Sequence, residues 1–98
     1  MTKVPNMIVL DDGDNVGIAL RDIGVTEDAV SGGGLRVGAA EAIPQGHKIA
    51  LRAIGEGECV LRLGVPVAIA KAEIAVGKLV HIHNVRSQYL DNDHDHFE

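Results

Sequence analysis

Two histidines, His81 and His83, stand two positions apart in a segment near the end of the chain where apolar and polar residues alternate. If residues 79–85 form one β-strand, both side chains point to the same face, about 6.5 to 7 Å apart along the strand. Two imidazole rings at that separation can converge on one metal ion. The same spacing would also be found in two exposed histidines on an edge strand, so both interpretations stay open.

A second candidate group, His47 and Lys48, follows the turn sequence Ile43-Pro44-Gln45-Gly46. A histidine can act as a general base near neutral pH, and a neighbouring ammonium group can bind a carboxylate. The alternative is a surface turn that carries two solvated side chains. The residues by themselves favour this alternative.

Two arginines, Arg52 and Arg62, lie in the central part of the chain. A guanidinium group binds a carboxylate through two parallel hydrogen bonds, so either arginine could hold an acidic substrate. Glu56 and Glu58 are close in sequence, and ion pairs with them are the simpler interpretation.

Composition excludes several classes of function. The chain has 98 residues, 46% of them hydrophobic, a formal net charge of -5, one Tyr, one Phe and no Trp. A negative charge repels a nucleic-acid backbone, and aromatic side chains that could stack on bases are nearly absent, so nucleic-acid binding is not expected. No apolar run approaches the roughly 20 residues that span a bilayer. The single cysteine, Cys59, allows no internal disulfide, and we expect a reduced thiol in a cytoplasmic protein.

An apolar pattern with turns at close intervals recurs along the chain. Such a pattern is typical of short strands, so short strands must position the histidines and cations. The copies of the pattern are Ile18, Ala19, Ile23 and Val30, with one extra residue in the turn; Ile49, Ala50, Ile54 and Val60; and Ile69, Ala70, Ile74 and Val80. Residues 15–23 also fit a short helix, but the β-branched surroundings of the other copies favour a strand. We therefore predict an all-β domain.

The remaining segments are predicted to be loops or tail. Gly32, Gly33 and Gly34 lead into a strand pattern and not into the Gly-Lys-Ser/Thr helix start of a phosphate-binding loop, so a plain loop is favoured. The polar, acidic residues 87–98 are expected to form a flexible tail after a folded domain at 1–86, and their two histidines are not expected to form the catalytic metal site. Exposed strand edges favour a homo-oligomer when no partner covers them.

The order of motifs resembles the SAF domain of the altronate and galactarate dehydratase family, which includes the small subunit of sulfolactate sulfo-lyase. The residues that carry the resemblance are Asp14-Asn15-Val16, Ile43-Pro44-Gln45-Gly46-His47-Lys48-Ile49-Ala50-Leu51, Ile54-Gly55-Glu56-Gly57-Glu58-Cys59-Val60 and His81-Ile82-His83-Asn84-Val85. The resemblance implies a β-clip fold. It also implies a sugar-acid dehydratase, or a lyase that removes sulfite from sulfolactate. Its cofactor would be a divalent metal, iron(II), manganese(II) or magnesium.

The resemblance further implies that the chain is a small subunit, with a small hydroxy acid as substrate and a larger catalytic subunit as partner. It assigns catalytic roles to His47 and Lys48, metal binding to His81 and His83, and substrate binding to Asn84, Arg52 and Arg62. One departure is Arg62-Leu63-Gly64 where the family has Lys-Tyr-Gly, so any substrate contact of that Tyr is absent here. The alternative function is a SAF module that binds a carbohydrate or polypeptide without catalysis.

Overall fold

The computed structural model of the chain describes residues 4–87. Nine short strands and no helix form in this part of the chain, which confirms the predicted all-β class. The strands are β1 (Met7–Ile8), β2 (Val16–Ala19), β3 (Asp28–Val30), β4 (Arg36–Gly38), β5 (Lys48–Ala50), β6 (Cys59–Arg62), β7 (Val65–Ala70), β8 (Leu79–Val80) and β9 (Val85–Ser87). The predicted tail lies outside the described residues, except for Ser87 at the end of β9.

The strands form three small antiparallel sheets. The first has the order β1-β2-β5-β8, the second pairs β3 with β4, and the third has the order β6-β7-β9. Strand β2 confirms the strand interpretation of residues 15–23, and the three glycines lie in the hairpin loop between β3 and β4. Within residues 4–87, no helix has the length and apolarity that crossing a bilayer requires.

One structural unit recurs four times, at residues 19–29 (unit 1), 39–49 (unit 2), 50–60 (unit 3) and 70–80 (unit 4). Each unit starts with a buried Ala, continues with a buried Ile four positions later and ends with a buried apolar residue. A turn residue with positive φ lies three positions after the Ile. These turn residues are Thr26, Gly46, Gly57 and Gly77.

The predicted repeat was wrong in two respects. Unit 2 was missed, because the residue before its Ala39 is Gly38 and not an isoleucine. The extra residue in the first copy is absent: Ala29, fully buried, ends unit 1 at the same spacing as in the other units. The turn before His47 also differs, since the His47 N–H donates to the Pro44 carbonyl (3.0 Å) and the turn therefore spans 44–47.

The units are joined in pairs by reciprocal backbone hydrogen bonds. Ile23 and Ile43 join units 1 and 2 by donating to each other's carbonyl (2.9 and 2.8 Å), and Ile54 and Ile74 join units 3 and 4 in the same way. The positive-φ residue of each unit also donates to the first Ala of its partner unit. The bonds are Thr26 to Ala39, Gly46 to Ala19, Gly57 to Ala70 and Gly77 to Ala50.

Each pair of units encloses its own aliphatic core. The first contains Met7, Ala19, Ile23, Ala29, Val37, Ala39, Ile43 and Ile49. The second contains Val16, Ala50, Ile54, Val60, Ala68, Ala70, Ile74 and Val80. Full burial of one Ile or Val side chain contributes about 1.5 to 3 kcal/mol, so these two clusters are the main source of stability.

The predicted continuous strand over residues 79–85 is wrong. Strand β8 ends at Val80, and the chain turns through residues 81–84 before β9 begins at Val85. The turn is closed by hydrogen bonds from the Asn84 and Val85 N–H groups to the His81 carbonyl (2.9 and 3.1 Å). The alternation of a strand therefore does not apply to His81 and His83.

Candidate functional site

The structure brings His47 and His81 together. Strands β5 and β8 are antiparallel, with Lys48 opposite Val80, so the next residues outward, His47 and His81, face each other across the strand ends. Their ring centroids are 4.7 Å apart and the ring planes are tilted by 57°. His81 is exposed and His47 is half-buried. Two imidazoles from distant parts of the chain therefore form one pair.

The residue at the position of His47 has a different role in two of the other units. In units 1 and 3 the equivalent residue is a glutamate, and its carboxylate accepts the N–H of the first turn residue: Glu27 from Gly24, and Glu58 from Gly55. In unit 2 the first turn residue is Pro44, which has no N–H to donate. His47 therefore does not cap residue 44; its Nδ1 lies 3.3 Å from the carbonyl oxygen of Gln45. The presence of His where units 1 and 3 have Glu is a sequence signal that the repeat pattern could have revealed.

Lys48 forms the inner side of the site. It is half-buried and lines a cavity of about 270 Å³ together with His81, Ile82 and the apolar residues Val60, Val67, Ala68, Val80 and Val85. Burial, followed by the positive charge of Arg62, lowers the pKa of Lys48. Arg62 thus acts on Lys48 electrostatically, although it does not line this cavity.

The environment of His81 favours its neutral form. The pKa of His81 is lowered mainly by loss of solvation, and the charges of His47, His83 and Lys48 lower it further. A neutral imidazole can accept a proton or bind a metal ion, whereas an imidazolium can do neither. The cluster of positive charge around His81 therefore suits it for either predicted role.

The donor set matches a metal only in part. Within residues 4–87, no group of three or more His, Cys, Asp or Glu side chains is arranged to hold a metal ion. The imidazoles of His47, His81 and His83 are donors that iron(II) accepts more readily than magnesium does. These residues fit as part of a ligand set whose other members would come from another chain or domain.

Asn84 has both polar groups of its side chain engaged by the backbone. Its Nδ2 donates to the Leu79 carbonyl (2.7 Å), and its Oδ1 accepts the His81 N–H (2.9 Å). The predicted contact of Asn84 with substrate stays a prediction. Its observed contacts are with the loop that carries His81.

Arg52 lies away from the histidine cluster. It lines a separate cavity of about 490 Å³ together with Asp12, Ser31, the hairpin glycines Gly32 and Gly33, and apolar residues that include Leu51. Its substrate-binding role stays a prediction. The simpler ion-pair interpretation of the arginines was wrong, since the salt bridges among the described residues are Arg21–Glu27 and Arg36–Asp28.

We expect the pKa of His81 in the isolated domain to lie below its ordinary value of about 6.5 and to rise in a His47→Asn variant, which removes one of the positive charges. Because the folded pKa is the lower one, the unfolded chain binds more protons between the two values. The contribution of His81 to stability is therefore present above about pH 6.5 and is lost as the pH falls toward the folded pKa. NMR titration of the ring protons measures the shift. A Lys71→Met control should leave it unchanged, and a pKa at or above 6.5 would contradict the expectation.

This all-β domain places His47, Lys48 and His81 next to one another at the ends of β5 and β8. The comparison with known families is specific: residues 5–88 match the altronate/galactarate dehydratase SAF domain. The chain belongs to this family. The match also confirms the predicted SAF assignment of the fold.

Three characterised relatives show how such a domain is used. The chain is 36% identical over 78 residues to an altronate dehydratase of Bacillus subtilis and 39% identical over 80 residues to an altronate dehydratase of Escherichia coli, and spans 16% of each. It is also 40% identical over 48 residues to (2R)-sulfolactate sulfo-lyase subunit alpha of Chromohalobacter salexigens, of which it spans 51%. These relatives are lyases, and the chain corresponds to a part of each.

Proposed function

We propose that this chain is the small subunit of a metal-dependent dehydratase that acts in the cytoplasm on a sugar acid of the altronate or galactarate type. The observation that supports the proposal most directly is the His47–His81 pair, with ring centroids 4.7 Å apart, inside a cluster of cations. The family membership supplies the reaction class, and the cluster supplies groups that such a reaction needs.

The reaction removes a proton from the carbon beside a carboxylate while a hydroxyl group leaves as water. Lys48 and Arg62 are suited to bind the substrate carboxylate, because each can donate charge-assisted hydrogen bonds and the charge of Arg62 acts on Lys48. His47, whose ring lies beside that of His81, is suited to take up or pass on a proton. A divalent ion, bound in part by His81 and His83, would stabilise the negative charge that develops on the substrate oxygens.

The rest of the active site would come from a larger catalytic subunit. His81 is exposed and His47 only half-buried, whereas ligand sites usually bury most of the ligand surface. The chain also spans only 16% of the altronate dehydratases that it resembles. Without that partner the open edges β1 and β8 of the largest sheet favour self-association of this chain.

A second candidate function is that of a sulfolactate sulfo-lyase subunit. It is favoured by the relative of that name, which is itself called a subunit and of which this chain spans 51%. A sulfonate is an anion that Lys48 and Arg62 can bind as well as a carboxylate, so the cationic cluster fits either substrate.

We expect the purified chain to show no turnover of altronate, galactarate or sulfolactate with iron(II), manganese(II) or magnesium, and the complex with its catalytic subunit to turn over one of them. The physical reason is that this chain supplies only one side of the site. Steady-state assays of the chain, the partner and the complex test the expectation. Appreciable turnover by the isolated chain would refute the shared site, and a complex that binds a carbohydrate without turnover would identify a binding module.

A further inference from the structure

Three asparagines in different parts of the chain make the same pair of side-chain hydrogen bonds. Asn6 donates to the Asp28 carbonyl (3.0 Å) and accepts the Val30 N–H (2.7 Å). Asn15 donates to the Cys59 carbonyl (2.9 Å) and accepts the Leu61 N–H (2.7 Å). The third asparagine is Asn84, bonded to the Leu79 carbonyl and the His81 N–H. We call this arrangement the asparagine clamp.

The clamps hold equivalent positions of the repeated unit. Asp28, Cys59 and Leu79 occupy the same place in units 1, 3 and 4, and the second clamped residue always lies two positions further on. The backbone carbonyls of the three asparagines also accept hydrogen bonds from equivalent backbone N–H groups, those of Leu20, Leu51 and Lys71 respectively. The clamp is thus a recurring device that fixes the end of a unit, and its geometry at Asn84 is not incidental.

The clamp at Asn84 differs from the others in what it holds. Val30 and Leu61 belong to strands, whereas His81 begins a loop whose next residue, Ile82, is 74% exposed. This loop is anchored at one end by β8 and at the other by the backbone bonds of Asn84 and Val85 to the His81 carbonyl. The Asn84 amide adds the bonds to Leu79 and to the His81 N–H, so it fixes the backbone from which the His81 ring projects toward His47.

We propose that Asn84 is a positioning residue that holds His81 in place opposite His47. The effect of Asn84 on catalysis rests on the proposed function. Its effect on the position of His81 can be measured in the isolated chain. Loss of the clamp frees the His81 N–H and lets the loop sample other conformations, so the ring pair separates. A displacement of about 1 Å in a reacting group can lower turnover on the order of 100-fold.

The test compares Asn84→Ala with Asn84→Asp, which keeps the acceptor for the His81 N–H, and with Asn15→Ala, which removes the clamp on β6. In the isolated chain, NMR should show a nuclear Overhauser contact between the rings of His47 and His81. We expect this contact in the native chain, in Asn84→Asp and in Asn15→Ala, and its loss in Asn84→Ala. In the complex, Asn84→Ala should lower kcat about 10- to 100-fold with little change in KM, and Asn84→Asp should restore most of kcat.

Retention of the ring contact in Asn84→Ala, or an increase in KM at unchanged kcat, would overturn the proposal in favour of a direct substrate contact. If Asn84→Ala does not fold, Asn84→Asp decides the test. Loss of the ring contact in a folded Asn84→Asp variant would also overturn the proposal. If the native complex has no lyase activity but the ring contact responds as expected, the proposed function fails and the positioning role stands.

Discussion

Replacing Gly77 by Ala is expected to lower the free energy of unfolding by about 3 to 5 kcal/mol. The residue has a φ of 84°, a conformation that disfavours any side chain. A Cβ atom would overlap the Gly38 carbonyl oxygen and approach the Ala40 nitrogen to 3.0 Å. These are backbone atoms, and the Ala40 N–H already donates to the Gly77 carbonyl (2.9 Å), so neither side can move away without breaking this bond.

Gly57 provides a matched control for this substitution. It occupies the equivalent position of unit 3 with a φ of 85°, but a Cβ there would have no neighbouring atom within 4 Å. Gly57→Ala therefore carries only the conformational cost, about 1 to 2 kcal/mol. Urea unfolding followed by circular dichroism measures both values. Equal losses at the two positions would show that the contact between Gly77 and the segment 38–40 is not tight in solution.

Replacement of His81 by Ala is expected to lower kcat of the assembled enzyme by about 10²- to 10⁴-fold, as large an effect as the loss of a positioned acid or base. The ring is exposed and lies outside both cores, so the domain should fold as before. Replacement of His47 should have an effect of similar size, because the two rings form one pair. Turnover, metal content and circular dichroism of each complex are to be measured together.

Three further variants complete this experiment. His83→Ala should also reduce turnover, and a parallel loss of bound metal would support a ligand role. Deletion of residues 91–98 and the surface substitution Lys71→Ala should change little, since neither removes a group of the cluster. Normal turnover in the His81 and His83 variants would make these histidines structural or incidental, and loss of metal only in the tail deletion would move the metal site to the tail.

The fold class could be predicted because the aliphatic pattern is local. Ile54 and Ile74 stand in turn-rich, β-branched surroundings, and that pattern is sufficient for short strands. Unit 2 was not predicted because the predicted pattern has an isoleucine before the alanine, whereas the structural requirement is only the spacing from Ala39 to Ile43 and Gly46. Val30 was predicted to end unit 1 in place of Ala29, because Val30 is the larger apolar residue of the two.

The candidate site could be predicted residue by residue but not as an arrangement. His47 and His81 were both recognised, yet their contact depends on the register of β5 and β8, which no local pattern specifies. The strand that was assumed to carry both His81 and His83 is wrong, because the chain turns after Val80, and their shared metal binding stays a prediction. Arg52 and Arg62 are only ten positions apart, and whether they share a surface depends on the fold of the segment between them.

The junction of units 2 and 3 has a consequence for how this domain can change in length during evolution. Unit 2 ends at Ile49 and unit 3 begins at Ala50, so one uninterrupted strand, β5, serves both halves of the molecule. An inserted residue there would turn the side chains after it to the opposite face and remove them from the second core. The hairpin loop at Gly32 and Gly33 has no such constraint, because a side chain at Gly32 would contact nothing within 4 Å and at Gly33 only the Ser31 hydroxyl at 3.9 Å. We therefore expect relatives of this domain to differ in length at this hairpin loop and to keep the same length at the junction between the halves.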